Sequence, residues 1–271
     1  MTKILDGREL AGYIKERQAH LVRSLRGRKV IPKLLILRDN DSPVIEKYVA
    51  LKKRYGEDIG VEVEDFVAKN TDELKEKIEW ANKNAEISAM IVQLPLKNID
   101  LTDSVVSLIA PEKDVDGLSG RGDFDSATAT AINWLLAGYD ISLETSKIAL
   151  VGHGRLVGAP LEKMFKASNY HVTVFQKGDA LEALKDFDVV ITATGVPHLL
   201  KNEHIKRGAV VVDAGTASED GVLKGDLDDE VRRRDDLLAL TPKLGGVGPM
   251  TVAVLFENVL SAAEKSAKNR A

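Results

Sequence analysis

The chain has 271 residues, of which 44% are hydrophobic and 30% charged, with a net charge of −4 and no cysteine. That length suits about two domains at ~100–200 residues each. Mild acidity gives no basic field for nucleic acid, and the lack of cysteine excludes disulfides, thiolate zinc sites and a cysteine nucleophile.

The first ten residues, Met1–Leu10, have charges where a signal peptide needs an apolar core. No apolar run approaches the ~20 residues of a membrane span. A soluble cytoplasmic protein in a reducing compartment is expected, with no membrane or nucleic-acid partner. No metal is expected either, since no His/Asp ligand cluster stands out.

Along the chain, strand-like apolar runs alternate with helical patterns, the mark of a mostly parallel sheet covered by helices. Leu34–Leu37, Val61–Phe66 and Ala89–Val92 read as strands, separated by helices near 44–57 and 72–84. The second helix has Glu/Lys pairs suited to an exposed face. Leu118–Asp123 is a polar, glycine-bearing loop, and the domain switch is placed near residue 119. A helix over about 126–137 and a loop over 138–146 come next. Ile148–Val151, Val172–Phe175, Val189–Thr192 and Val210–Asp213 then repeat the strand pattern. These runs are continuous rather than alternating, as strands buried on both faces should be. The fold class expected is α/β in two domains. Residues 1–118 form an N-terminal α/β domain, joined by the C-terminal helix 249–271. Residues 119–248 form a Rossmann-like dinucleotide domain with a mostly parallel sheet.

Several positions along these elements suit chemistry. Tyr48 and Lys52 are four apart on a helix and therefore share one face, although Lys47, Lys53 and Arg54 make the whole segment basic. Gln93 ends an apolar strand just before Pro95, so its side chain either caps the turn or projects into a cleft. Asp114 and Asp116 flank Val115 ahead of Gly117, an Asx-type turn pattern. After the strand 148–151, glycines at 152, 154 and 158 precede a helical run, one residue longer than the G-x-G-x-x-G fingerprint. Such a strand–turn–helix presents backbone N–H groups and a helix N-terminus to a pyrophosphate. Beyond the next strand, Lys177 favours a cofactor 2′-phosphate, while Asp179 would suit ribose hydroxyls and NAD. Thr192–Gly195 and Asp213–Gly215 end the two later strands. Near the C-terminus, Gly245, Gly246 and Gly248 permit close backbone approach to a flat ligand, and Pro249 fits a first helical turn.

Three strings in this order, Met90–Leu96, Lys113–Gly117 and Gly245–Thr251, resemble the bifunctional methylenetetrahydrofolate dehydrogenase/methenyltetrahydrofolate cyclohydrolase family. Tyr48–Lys52 is similar to its Y-V-x-x-K, and Gly152–Pro160 to its G-R-S-x-x-V-G-x-P. The resemblance implies oxidation of 5,10-methylenetetrahydrofolate with NADP, then hydrolysis to 10-formyltetrahydrofolate, in a homodimer of one-carbon metabolism feeding purine biosynthesis. It implies Lys52 as the principal catalytic group, Gln93 as its partner and Tyr48 as a wall of the folate pocket. Asp116 would take the pterin ring, with Gly246 and Pro249 also lining the substrate. The dinucleotide would rest on Gly152, His153, Gly154, Arg155, Gly158, Lys177, Gly195 and Thr216, with NAD the alternative to NADP. Some positions depart from the family pattern. His153 and Gly154 replace its Arg and Ser, Ile45 replaces a serine, Lys97 replaces a proline, and Ala127–Ala131 stands where P-C-T-P-x-G is usual. Rival readings are a dehydrogenase without the hydrolase step, a shikimate-type dehydrogenase and a non-enzymatic folate- or dinucleotide-binding regulator.

Overall fold

The computed structural model describes residues 1–219 and 222–269, without the side chains of 218, 219, 222 and 223. The chain opens with β1 (Lys3–Ile4), α1 (Gly7–Gly27), β2 (Lys33–Arg38), α2 (Pro43–Ile59), β3 (Glu62–Val67), α3 (Thr71–Lys83), β4 (Ala89–Val92) and the short α4 (Thr102–Val106). It continues with α5 (Ala127–Gly138), β5 (Lys147–Val151), α6 (Gly158–Ala167), β6 (His171–Phe175), β7 (Val189–Thr192) and β8 (Val210–Asp213). Last come β9 (Ala217–Glu219), β10 (Val222–Lys224), α7 (Asp229–Arg232), β11 (Ala239–Leu240) and α8 (Val247–Lys268).

Two compact units share these elements. Tyr13–Ala127 and Val252–Ala271 make one; Met1–Gly12 and Thr128–Thr251 make the other. Residues 1–12, expected with the N-terminal domain, therefore lie with the dinucleotide half. The reason is β1, which pairs in parallel with β11 through Lys3–Ala239 and Ile4–Leu240. The last two residues of the expected 249–271 helix lie outside the described residues.

The first unit has a three-stranded parallel sheet in the order β3-β2-β4. Its strands β2 and β4 are buried almost throughout, as their unbroken apolar runs require. Leu35, Leu37, Met90 and Val92 pack on Leu74 and Ile78 of α3 and on Val105, Val106 and Ile109. Helix α2 starts at Pro43, whose missing N–H costs nothing there, and buries the stripe Ile45, Val49, Gly56 and Ile59. It stops at Gly60, whose φ of 83° is left-handed and whose N–H returns to the Gly56 and Glu57 carbonyls.

The second unit has a six-stranded sheet, β1-β11-β8-β7-β5-β6, parallel throughout. An antiparallel pair, β9 and β10, stands apart from it. In both units the chain leaves a central strand, adds a neighbour on one side through a helix, then crosses to the other side. β2 is flanked by β3 and β4, and β5 by β6 and β7. The carboxyl ends of β2 and β5 are thus topological switch points, where open α/β sheets hold ligands.

Candidate functional site

At the β2 switch point, α2 carries Tyr48 and Lys52 on successive turns. Both are half-buried. Gln93 directly follows β4, and its N–H donates to the Leu37 carbonyl at 2.8 Å, which carries the ladder one residue past the strand. Its side chain meets Lys52: Nζ donates to Oε1 at 2.7 Å, while Nε2 donates to the Leu94 carbonyl at 3.0 Å. With its amide oxygen turned to the lysine, Gln93 is oriented rather than mobile.

The Lys113–Gly117 segment brings in the carboxylates and divides their work. Asp114 is fully buried, and its carboxylate accepts the N–H groups of Leu118 at 3.2 Å and Ser119 at 2.8 Å. It is the turn-forming residue of the pair. Asp116 is the one that faces Lys52 electrostatically. Burial pushes the Lys52 ammonium below the ordinary lysine range, and Asp116 opposes that shift. Burial likewise pushes the Asp116 carboxyl up, against the pull of Lys52 and with a further push from Asp114. Gly117 cannot be replaced here: its φ is 68°, and a Cβ would lie 2.7 Å from the Phe124 carbonyl oxygen. Three more bonds hold the segment. Lys113 Nζ donates to the Ala81 and Asn84 carbonyls at the end of α3, and Asn258 Nδ2 of α8 donates to the Val115 carbonyl at 2.9 Å.

The dinucleotide-type turn lies at the β5 switch point. Gly152 has φ 96°, and a Cβ there would sit 2.7 Å from the Ala193 carbonyl oxygen. A Cβ on Gly158 would overlap the Gly152 carbonyl, so the helix start can close on the turn only with glycine at both places. Around Gly154 the space is open. Such a cradle of backbone N–H groups ahead of a helix fits a pyrophosphate.

The flanking side chains bear on the cofactor expected there. His153 Nε2 sits 2.6 Å from Glu162 Oε2, and Lys166 pairs with the other oxygen of Glu162 at 2.6 Å. Any charge on His153 is therefore met by a carboxylate before a phosphate arrives. Lys177 is exposed on the turn after β6. Asp179, the rival determinant, accepts the Gln176 N–H at 2.7 Å and so serves its own turn. Arg155 is exposed beside Gly154. Gly195, with φ 68°, and Thr216 come together, since a Cβ on Gly195 would be 3.5 Å from the Thr216 carbonyl oxygen. Gly246 is buried against Thr241, while of the last glycine cluster only Gly245 has a positive φ, 93°. Pro249 is third in α8, within its first turn.

Two groups escape a reading of the sequence. Asn258 has no local signal, because its partner is 143 residues away. Asp226 joins Asp213, already marked by its strand-end string, in a buried network, and is foreshadowed only by the glycines at 215 and 225. Among the described residues no cluster of metal-ligating side chains occurs, and no helix is long and apolar enough to cross a membrane.

Comparison with known proteins agrees along the whole chain. Residues 5–116 match the catalytic-domain model of tetrahydrofolate dehydrogenase/cyclohydrolase, and residues 126–267 match its NAD(P)-binding-domain model. The bifunctional protein FolD of Aquifex aeolicus is 38% identical, over 96% of this chain and 94% of its own. The crystal structure of the bifunctional FolD of Campylobacter jejuni superposes with a TM-score of 0.90 at 30% identity, covering both chains completely. That of the Trypanosoma brucei enzyme, complexed with NADP cofactor and inhibitor, gives 0.88 at 28% identity, over 98% of this chain and 99% of that one. Both halves find the same family in the same order. The chain belongs to the tetrahydrofolate dehydrogenase/cyclohydrolase family.

Proposed function

We propose a residue-level account of the family's two reactions in this chain. The protein is a bifunctional enzyme: it oxidises 5,10-methylenetetrahydrofolate to the 5,10-methenyl form and hydrolyses that cation to 10-formyltetrahydrofolate. The rival shikimate-type and regulator readings give no reason for both domain models to match.

Hydrolysis rests on Lys52. Water must add to the methenyl carbon, losing a proton, and the ring nitrogen must regain one as its bond to that carbon breaks. Lys52, pushed towards its neutral amine by burial, takes one proton from water and returns it to the leaving nitrogen, while the proton left on the added oxygen goes to solvent as the formyl C=O forms. Gln93 holds the amine in place, and the observation that carries the reading is their 2.7 Å hydrogen bond. Asp116 accepts the N–H donors of the pterin edge, and Tyr48 lines the ring. Gly246 and Pro249 are assigned to the substrate by family resemblance.

NADP, when bound, supplies the hydride acceptor. No protein base is needed for that step, because the folate nitrogen lone pair assists hydride departure. The chain's task is to hold and orient. Gly152, Gly154 and Gly158 cradle the pyrophosphate, flanked by His153 and Arg155; Gly195 and Thr216 border the dinucleotide, and Lys177 meets the 2′-phosphate. In this reading residues 13–118 with the C-terminal helix serve the folate and most of 119–248 the cofactor. The protein acts as a cytoplasmic homodimer supplying formyl groups for purine biosynthesis, a reading supported by family resemblance. A paired assay tests the account: NADPH formation from methylenetetrahydrofolate, and loss of methenyltetrahydrofolate without dinucleotide. Both should proceed. Dehydrogenation without accelerated hydrolysis would leave only the monofunctional reading.

A further inference from the structure

The dinucleotide half contains a buried polar network that the roles above leave unused. Asp226 is fully buried, and its Oδ2 accepts three hydrogen bonds at the end of β7: from Thr192 Oγ1 at 2.6 Å, the Thr194 N–H at 2.7 Å and Thr194 Oγ1 at 2.8 Å. Thr194 Oγ1 in turn accepts the Val196 N–H at 3.1 Å. One carboxylate oxygen therefore shapes the whole turn that contains Gly195.

Asp213, at the end of β8, stands behind it. Its carboxylate accepts the N–H groups of Gly215 at 3.0 Å, Asp226 at 3.1 Å and Leu227 at 3.2 Å, and pairs with Arg232. Its own N–H donates to Thr241 Oγ1 at 2.9 Å. Glycine makes room for both carboxylates, since a Cβ on Gly215 would overlap Asp226 and one on Gly225 would overlap Asp213.

Such a corner is not the most stable way to join two turns. Buried carboxylates carry a desolvation cost that apolar packing avoids, and Asp226 Oδ1 is buried with no partner among the described residues. What the network adds is direction: it fixes backbone orientation at both strand-end turns, those of Gly195 and Thr216. Binding sites need that kind of second support to hold their geometry.

We propose that Asp226, backed by Asp213, is a positioning residue of the dehydrogenase, setting the 192–196 turn against which the dinucleotide is held. The proposal rests on the NADP-site reading above. Two variants test it in the whole enzyme, Asp226→Asn and Thr194→Val, with Thr194→Ser as the conservative rescue. NADP is titrated calorimetrically into each, and hydrolysis of methenyltetrahydrofolate is measured in the same preparations without dinucleotide.

Asp226→Asn and Thr194→Val should each raise the NADP Kd and KM about tenfold or more, with a smaller change in kcat. Hydrolysis should stay at the wild-type rate, and Thr194→Ser should bind NADP within about twofold of wild type. Unchanged NADP affinity in both variants would overturn the positioning role. So would equal loss of both activities, which marks a merely structural residue. A wild-type protein that binds no NADP would instead sink the NADP-site reading, and this proposal with it.

Discussion

The two switch points share a topology and differ in what they present to a ligand. At the end of β5 the helix begins only seven residues after the strand, and what faces outward is backbone: an open turn at Gly154 and the start of α6. At the end of β2 the groups proposed to do the chemistry are side chains. Lys52 comes from the third turn of α2, Gln93 from beyond β4, and Asp116 from the segment after residue 113. A phosphate can be held by N–H groups and a helix end in water-exposed surroundings. A proton transfer cannot, because it needs a group whose pKa has been moved, and here burial moves it while a neighbouring carboxylate tempers the shift. One site is built by deleting side chains and the other by gathering them.

Lys52→Met breaks the comparison at its strongest point. Methenyltetrahydrofolate hydrolysis should fall by ~10²–10⁴, the usual loss for a positioned proton-transfer group. NADP affinity, which the proposal assigns to the backbone-built site, should not change. Hydrolysis at the wild-type rate in a folded variant would remove Lys52 from the mechanism.

Gly158→Ala is the converse, one methyl group added to the site built from backbone. The new Cβ would overlap the Gly152 carbonyl and push α6 off its turn. Overpacking of this kind costs about 1–3 kcal/mol. It should appear as a lower melting temperature and weaker NADP binding. Hydrolysis by the folded fraction should persist, since Lys52, Gln93 and Asp116 all lie in the other compact unit. Full NADP affinity in this variant would mean that the dinucleotide does not rest on this turn.

Much of this architecture is legible in the order of the amino acids. Buried parallel strands advertise themselves as unbroken apolar runs, and Leu34–Leu37 and Val189–Thr192 fall inside the observed β2 and β7. The strands β1 and β11 have two residues each, too few to show any period. Their pairing across more than 200 residues is what carries the first twelve residues into the other unit. Helix α1 is hard to read for a different reason: its buried face includes Gln18, which is fully buried and bonded to Tyr55, Glu257 and the Ala253 carbonyl. A polar residue at a core position breaks the stripe that marks a helix. At the site, spacing alone puts Tyr48 and Lys52 on one face, and resemblance supplies Gln93. The division of labour between Asp114 and Asp116 comes from resemblance alone, because two identical side chains two residues apart differ only in what surrounds them.

Asp116→Asn sharpens the electrostatic half of the contrast. Losing a charged acceptor for buried ring donors should weaken folate binding by on the order of 1.5–3 kcal/mol, read by equilibrium titration. The pH profile gives a second readout with a definite sign. On the role proposed for it, Lys52 acts as the neutral amine, so the rate of hydrolysis should rise with pH and level off below the range of an ordinary lysine. Asp116 favours the ammonium; removing its charge moves the rising limb to still lower pH. A limb that stays put, or moves to higher pH, would mean that Asp116 does not act on Lys52.

The smallest effect is expected at Lys177, where the backbone-built site has to discriminate between two dinucleotides. With His153 engaged by Glu162 and Asp179 bonded to its own turn, Lys177 is the exposed cation after β6 that suits a 2′-phosphate. An ammonium is a point charge rather than a bidentate fork, so its selectivity should be moderate. In water, with salt screening, an exposed contact of this kind is worth on the order of 1 kcal/mol or less. The wild-type protein should therefore prefer NADP to NAD. Lys177→Ala should narrow the preference by about two- to fivefold, mainly through the KM for NADP, and leave NAD kinetics unchanged. The contrast should shrink further in high salt. A wild type that prefers NAD, or a variant with an unaltered ratio, would move the determinant from Lys177 to Asp179.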